Sequence, residues 1–87
     1  MTTPTYFGLL AEFEGRAEIP LEEVAPRYFG INARTASTRA CAQALPVPVY
    51  RALDSQKSPW LVSAGDLAEY LDRRKAQARQ QWQAVNE

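Results

Sequence analysis

The chain has 87 residues, no net charge, 46% hydrophobic residues and 23% charged ones, which suits one small folded domain and excludes both a disordered chain and a protein with two cores. Histidine is absent and Cys41 is the only cysteine, so neither a disulfide framework nor a Cys/His zinc site can form within one chain. The start, Met1-Thr2-Thr3-Pro4-Thr5, lacks a basic run followed by an apolar stretch, and no apolar run approaches membrane-spanning length, so a cytoplasmic protein without a membrane partner is expected.

Tyr6, Phe7, Leu9, Leu10 and Phe13 follow helical spacing, with Thr3 as the cap, Pro4 at the first helical position and Gly15 as the stop. A brief extended piece, Ala17-Glu18-Ile19, precedes the segment PLEEVAPRYFG, where Leu21, Val24 and Tyr28 share a face and Gly30 ends a second helix. Pro26 removes a backbone donor and crowds the carbonyl of Glu22, which predicts a kink or break there.

Asn32 caps a third helix expected over about residues 33–44, ended by Leu45-Pro46. Ala33, Ala36, Ala40 and Ala44 lie on one side, which lets the helix sit close on a neighbour. Arg34, Thr35, Thr38 and Arg39 lie roughly opposite and present guanidinium and hydroxyl groups that can reach base edges and phosphates from the major groove. The bland reading of such a face is a solvated surface. Cys41 borders the alanine side, where a small buried apolar role is expected for it.

From Val47 the period becomes two, with Val47, Val49, Arg51 and Leu53 on one side of a strand and Tyr50 and Ala52 on the other. The polar stretch Asp54-Ser55-Gln56-Lys57-Ser58-Pro59 turns the chain, and Trp60-Leu61-Val62 returns as the second strand of a hairpin. A hairpin directly after an outward-facing helix reads as a wing whose tip, Ser55, Gln56, Lys57 and Ser58, can donate to phosphates. Ser63 and Asp66 form a capping pair for a long last helix over residues 65–87. Past Leu71 its apolar line is thin, only Ala78, Trp82 and Val85. Trp82 and Val85 therefore mark a self-association element, and a homodimer is expected to carry two recognition helices to half-sites about 34 Å apart.

The zero net charge hides an uneven distribution. Residues 1–26 hold Arg16 against five glutamates, net −4, whereas residues 27–57 hold Arg27, Arg34, Arg39, Arg51 and Lys57 against Asp54 alone, net +4. A basic middle can make a basic face on a neutral protein. Catalysis is not expected, because the usual general acid-base residue is missing and no activated nucleophile or phosphate-cradling glycine loop stands in the sequence. No cofactor is expected either.

The whole therefore reads as a single domain over residues 1–87, mainly α with a small β-hairpin, of winged helix-turn-helix-like form with a long C-terminal helix. That order of elements resembles the DNA-binding domains of excisionases and MerR-type regulators. IPLEEVAPRYFG, ALPVPVYR, SQKS and DLAEYLDRRKAQAR, in this order and spacing, resemble the pyocin activator family, PrtN, over about residues 6–79. The resemblance implies a transcriptional activator of prophage or phage-tail-like bacteriocin genes, with double-stranded DNA and RNA polymerase as partners. It also implies that Arg34, Thr35, Thr38 and Arg39 form the recognition helix, and Arg51, Ser55, Gln56 and Lys57 the wing. A second reading, an adaptor or inhibitor on the same scaffold without DNA binding, draws on the acidic first quarter and the under-buried end of the last helix.

Overall fold

The computed structural model describes residues 3–86. Helix α1 (Pro4–Glu12) starts where expected, the Thr3 side chain accepting from the Tyr6 amide at 3.2 Å with proline at the first turn. Strand β1 (Glu18–Pro20) leads into α2 (Leu21–Val24), which continues as a π-helical turn (Ala25–Phe29) and ends at Gly30 in the left-handed conformation, φ 67°. Pro26 has no N–H to close an α-helical turn, and widening the turn relieves the clash of its ring with the Glu22 carbonyl. The expected kink is therefore a π-turn, closed by Gly30 N–H donating to the Ala25 carbonyl.

Helix α3 (Ala33–Cys41) is capped by Asn32, whose side chain accepts from the Thr35 amide at 2.8 Å. It stops about three residues sooner than its composition suggests. Gln43 adopts φ 52°, Ala44 N–H bonds the Arg39 carbonyl at 2.9 Å and Gln43 N–H the Ala40 carbonyl at 3.0 Å. This pair of bonds is a Schellman stop, formed here without glycine.

The expected hairpin is part of a three-stranded antiparallel sheet, because β3 (Trp60–Ser63) is central and pairs with β1 on one side and β2 (Tyr50–Arg51) on the other. Pro20 is tolerated because β1 is an edge strand. The strand expected from Val47 is reduced to two residues. Pro46 and Pro48 offer no ladder donors, so Val47, in a bend, and Val49 are buried in unpaired chain. Leu53, expected on the same side, lies on the wing and is 69% exposed.

Helix α4 (Ala64–Asn86), about 34 Å long at 1.5 Å per residue, starts at Ser63, whose Oγ accepts from the amides of Gly65 and Asp66 at 3.2 and 3.4 Å. Ala64 N–H donates to the Ala17 carbonyl at 2.7 Å. Near the start of α1, Thr5 donates to Asp72 at 2.6 Å and accepts from Lys75 at 3.0 Å. The two helices thus run antiparallel, and α4 overshoots α1. The core lies between them and the inner face of the sheet, with Phe13, Ile19, Val24, Val62 and Leu67 fully buried and Ala36 and Ala40 seating α3 against it.

Glu12 ties α1 to the π-turn. One carboxylate oxygen accepts from Arg27 at 2.6 Å and the other from the Tyr28 hydroxyl. Those two bonds, Tyr28 first, hold the Glu12 carboxyl below its ordinary 4.5. Burial, then the bond to Glu12, pushes the Tyr28 hydroxyl up to about 12, so it remains a donor throughout the neutral range. A depressed carboxyl stabilises the fold above its ordinary value and loses that contribution as pH falls through the lowered one. Glu12→Gln is therefore expected to lower the melting temperature at neutral pH, the difference from wild type beginning to shrink below 4.5 and vanishing only once pH has fallen through the lowered value. Thermal melts of both proteins across that range check this.

Candidate nucleic-acid interface

The outward side of α3 is defined by what it buries. Ala36 and Ala40 face the core, and at 100° per residue Arg34 and Thr38 lie most nearly opposite them. Both are exposed, as is Arg39 on the flank. The Thr38 hydroxyl donates to the Arg34 carbonyl at 3.2 Å, a local bond that still leaves its oxygen able to accept. Thr35 is half-buried and contributes chiefly its amide to the Asn32 cap, so it faces outward less than its neighbours. Ala33 and Ala44, expected inward, are exposed.

Cys41 is also exposed, contrary to the buried role expected from its neighbours. It lies about 140° round the helix from Ala36, which puts it in line with Arg34 and Thr38. The inward stripe is narrower than four alanines imply, since α3 ends before Ala44.

The wing leaves the sheet at Arg51 and returns at Trp60. Its turn is internally fixed, the Ser55 hydroxyl oxygen accepting from the Lys57 amide at 3.2 Å and that of Ser58 from the Leu53 amide at 3.3 Å. Lys57 and Gln56 are left on the exposed tip. Arg51 is placed differently from the rest of the wing. It faces Trp60 across the strands, its guanidinium 4.3 Å from the ring centroid, a cation–π contact that fixes the side chain against the sheet. Neither Arg51 Nε nor Trp60 Nε1 has a hydrogen-bond partner among the described residues although both atoms are buried.

Helix and wing meet in a cleft of about 180 Å³ lined by Ser37 of α3, Arg51, Gln56, Lys57 and Ser58 of the wing, and Glu22 of α2. The fold thus brings together Arg51, Gln56 and Lys57, while Arg34, Thr38 and Arg39 lie on the neighbouring helix surface. Sequence reading passed over Ser37 as part of this junction, and placed Ser58 and Trp60 on the wing without the cleft they help to line. Ser37 could have been found, since it follows Arg34 by three residues and so borders the same exposed face. The Trp60–Arg51 stack depends on strand register, which the sequence does not specify.

The pairing of charges explains how a neutral protein keeps a basic surface. Arg16 is held by Glu23 at 2.7 Å and Arg27 by Glu12 at 2.6 Å, while Lys75 stands 3.9 Å from Asp72. Arg34, Arg39, Arg51 and Lys57 form no ion pair among the described residues. The acidic first quarter therefore neutralises arginines of its own neighbourhood and leaves the cations of α3 and the wing available.

At the far end of α4, Trp82 and Val85 are 63% and 83% exposed and rest on no other element of the domain. No helix among the described residues is long and apolar enough to cross a membrane.

Comparison with models of protein families matches residues 5–78 to the family described as pyocin activator protein PrtN. No curated protein and no solved structure matches the chain. The family match runs from α1 through α3 and the wing into α4, and on that extent the chain belongs to the pyocin activator protein PrtN family.

Proposed function

We propose that this protein is a sequence-specific, double-stranded DNA-binding transcriptional activator of prophage or phage-tail-like bacteriocin genes, acting in the cytoplasm on promoters read by RNA polymerase, and that it is not an enzyme. Family membership supports the regulatory part of this reading. The observation that carries DNA binding is the exposed face of α3, with Arg34, Thr38 and Arg39 free of ion pairs among the described residues and bordered by the wing.

In this reading α3 enters the major groove, whose width of about 12 Å admits one helix. Arg34 and Arg39 present planar forks suited to guanine, and Thr38 offers a hydroxyl and a methyl to a neighbouring base. Lys57 at the wing tip, with Gln56, Ser55 and the outer nitrogens of Arg51, grips phosphates and sets the register of the helix without reading sequence. Glu22, exposed on the α2 side of the cleft, repels phosphate and so favours backbone contacts on the wing side.

Footprinting with the full chain on duplexes from upstream of its own neighbouring genes tests the reading. A discrete protected segment is expected at one or more promoters. Uniform protection, or none, would leave only the adaptor role.

A further inference from the structure

The overshooting end of α4 and the groove beside α1 lie on one line. Leu71, Lys75, Ala78, Trp82 and Val85 follow each other at alternating steps of four and three, the repeat that keeps one stripe of a helix facing a partner helix. Upstream on the same stripe Ala64 and Ala68 are buried in the domain, while downstream Trp82 and Val85 are bare. Between them lies a groove of about 640 Å³ walled by Thr5, Gly8 and Leu9 of α1 and by Leu71, Lys75 and Ala78 of α4. Lys75 and Ala78 also border the shallow hollow that runs on to Trp82. Gly8 leaves the groove open, since a Cβ built there meets nothing within 4 Å.

We propose that a second copy of the chain occupies this stripe, the two α4 helices packing antiparallel about a twofold axis at Ala78 so that Trp82 and Val85 of each protomer lie in the other's groove. The arithmetic of the stripe supports this occupant. In an antiparallel pair centred on Ala78, Trp82 falls opposite residues 74 and 75, and Val85 opposite Leu71. The projecting and receiving halves are then equidistant from the axis, as an isologous interface requires. Alanine at the axis lets the helices approach to the near end of the usual 8–10 Å range.

Charge permits the same occupant, provided that the two Arg79 side chains beside the axis turn outward to solvent. Residues 80–86 carry no charge, so the segment that lands beside Arg74 and Lys75 brings no like charge to them. Glu12 is the one carboxylate lining the groove, and it is already satisfied by Arg27 and Tyr28. Two tryptophans bury about 300–500 Å² between them, and the groove walls they cover, with both copies of Val85 and Ala78, add to this toward the roughly 1,200 Å² at which specific interfaces begin.

Sedimentation of the full chain without DNA, at tens of micromolar, tests this separately from promoter binding. Wild type is expected to sediment as a dimer. Trp82→Ala and Gly8→Leu should each weaken it by about tenfold or more, with circular dichroism unchanged because one side chain is exposed and the other enters open space. In a Cys41→Ser background, Ala78→Cys should cross-link to itself under mild oxidation, and Gln80→Cys, off the stripe, should not. A monomer at these concentrations, a dimer indifferent to Gly8→Leu, or no preference for position 78 in cross-linking would overturn the proposal.

Discussion

Arg34→Ala is expected to lower affinity for the protected promoter segment by roughly 5- to 150-fold, the range for losing one bidentate arginine–guanine contact worth about 1–3 kcal/mol, while changing affinity for scrambled duplex far less. Arg34 is exposed on the side of α3 opposite the buried Ala36 and Ala40, so its removal opens no cavity. Lys57→Ala provides the contrast. Its ammonium stands on the tip of the wing and carries no base information, so both duplexes should be bound more weakly in similar proportion. The slope of log affinity against log salt should fall by about 0.9, one phosphate contact. Titrations of the two variants on both duplexes at two salt concentrations separate the roles. Equal losses of specificity would assign base reading to the wing.

Phe13→Ala should cost about 3–5 kcal/mol, the loss typical of removing a buried aromatic ring. Phe13 is 2% exposed, its ring stands 6.4 Å from that of Tyr28, and the Arg27 guanidinium covers it at 5.3 Å. It therefore joins α1, the π-turn and the core at one point. Domains of this size hold about 5–15 kcal/mol in all, so the variant should lose a large share of its stability and melt far below wild type, as denaturant or thermal melts will show. A loss below about 1 kcal/mol would mean that the junction of α1 and the π-turn is not part of the cooperative core.

Local chemistry made much of this fold legible in the sequence. Thr3, Asn32 and Ser63 announce helix starts because an acceptor side chain before a helical run has an orphan amide to satisfy, and all three do so. Gly30 marks a stop because it takes positive φ without penalty. The end of α3 escaped because Gln43 occupies the left-handed position where glycine is the usual signal. Ala17-Glu18-Ile19 was legible as an extended piece, but its place as a third strand was not, because three residues are too few to show a period and the pairing with β3 depends on packing of Ile19 against Val62.

The exposed face of α3 was legible to the same degree. Arg34, Thr38 and Arg39 stand out because a helix with alanines on one side must turn its long polar side chains the other way. Thr35 is half-buried and Cys41 exposed although both lie about 120° from the line of Ala36 and Ala40, on opposite borders of the helix where neighbouring elements and not composition decide exposure. Arg51 could be placed on the wing, but its commitment to Trp60 rests on strand register.

In the proposed function α3 and the wing bind duplex DNA through phosphates and read it through bases. The most direct test measures equilibrium affinity of the full chain for its upstream duplex and for a scrambled duplex over a series of salt concentrations. Affinity should fall linearly in log–log form with a slope of about −4 or steeper, equivalent to four or more phosphates, and the upstream duplex should be preferred by about a thousandfold or more. Absence of duplex binding at low salt, or binding that is indifferent to both salt and sequence, would contradict the account.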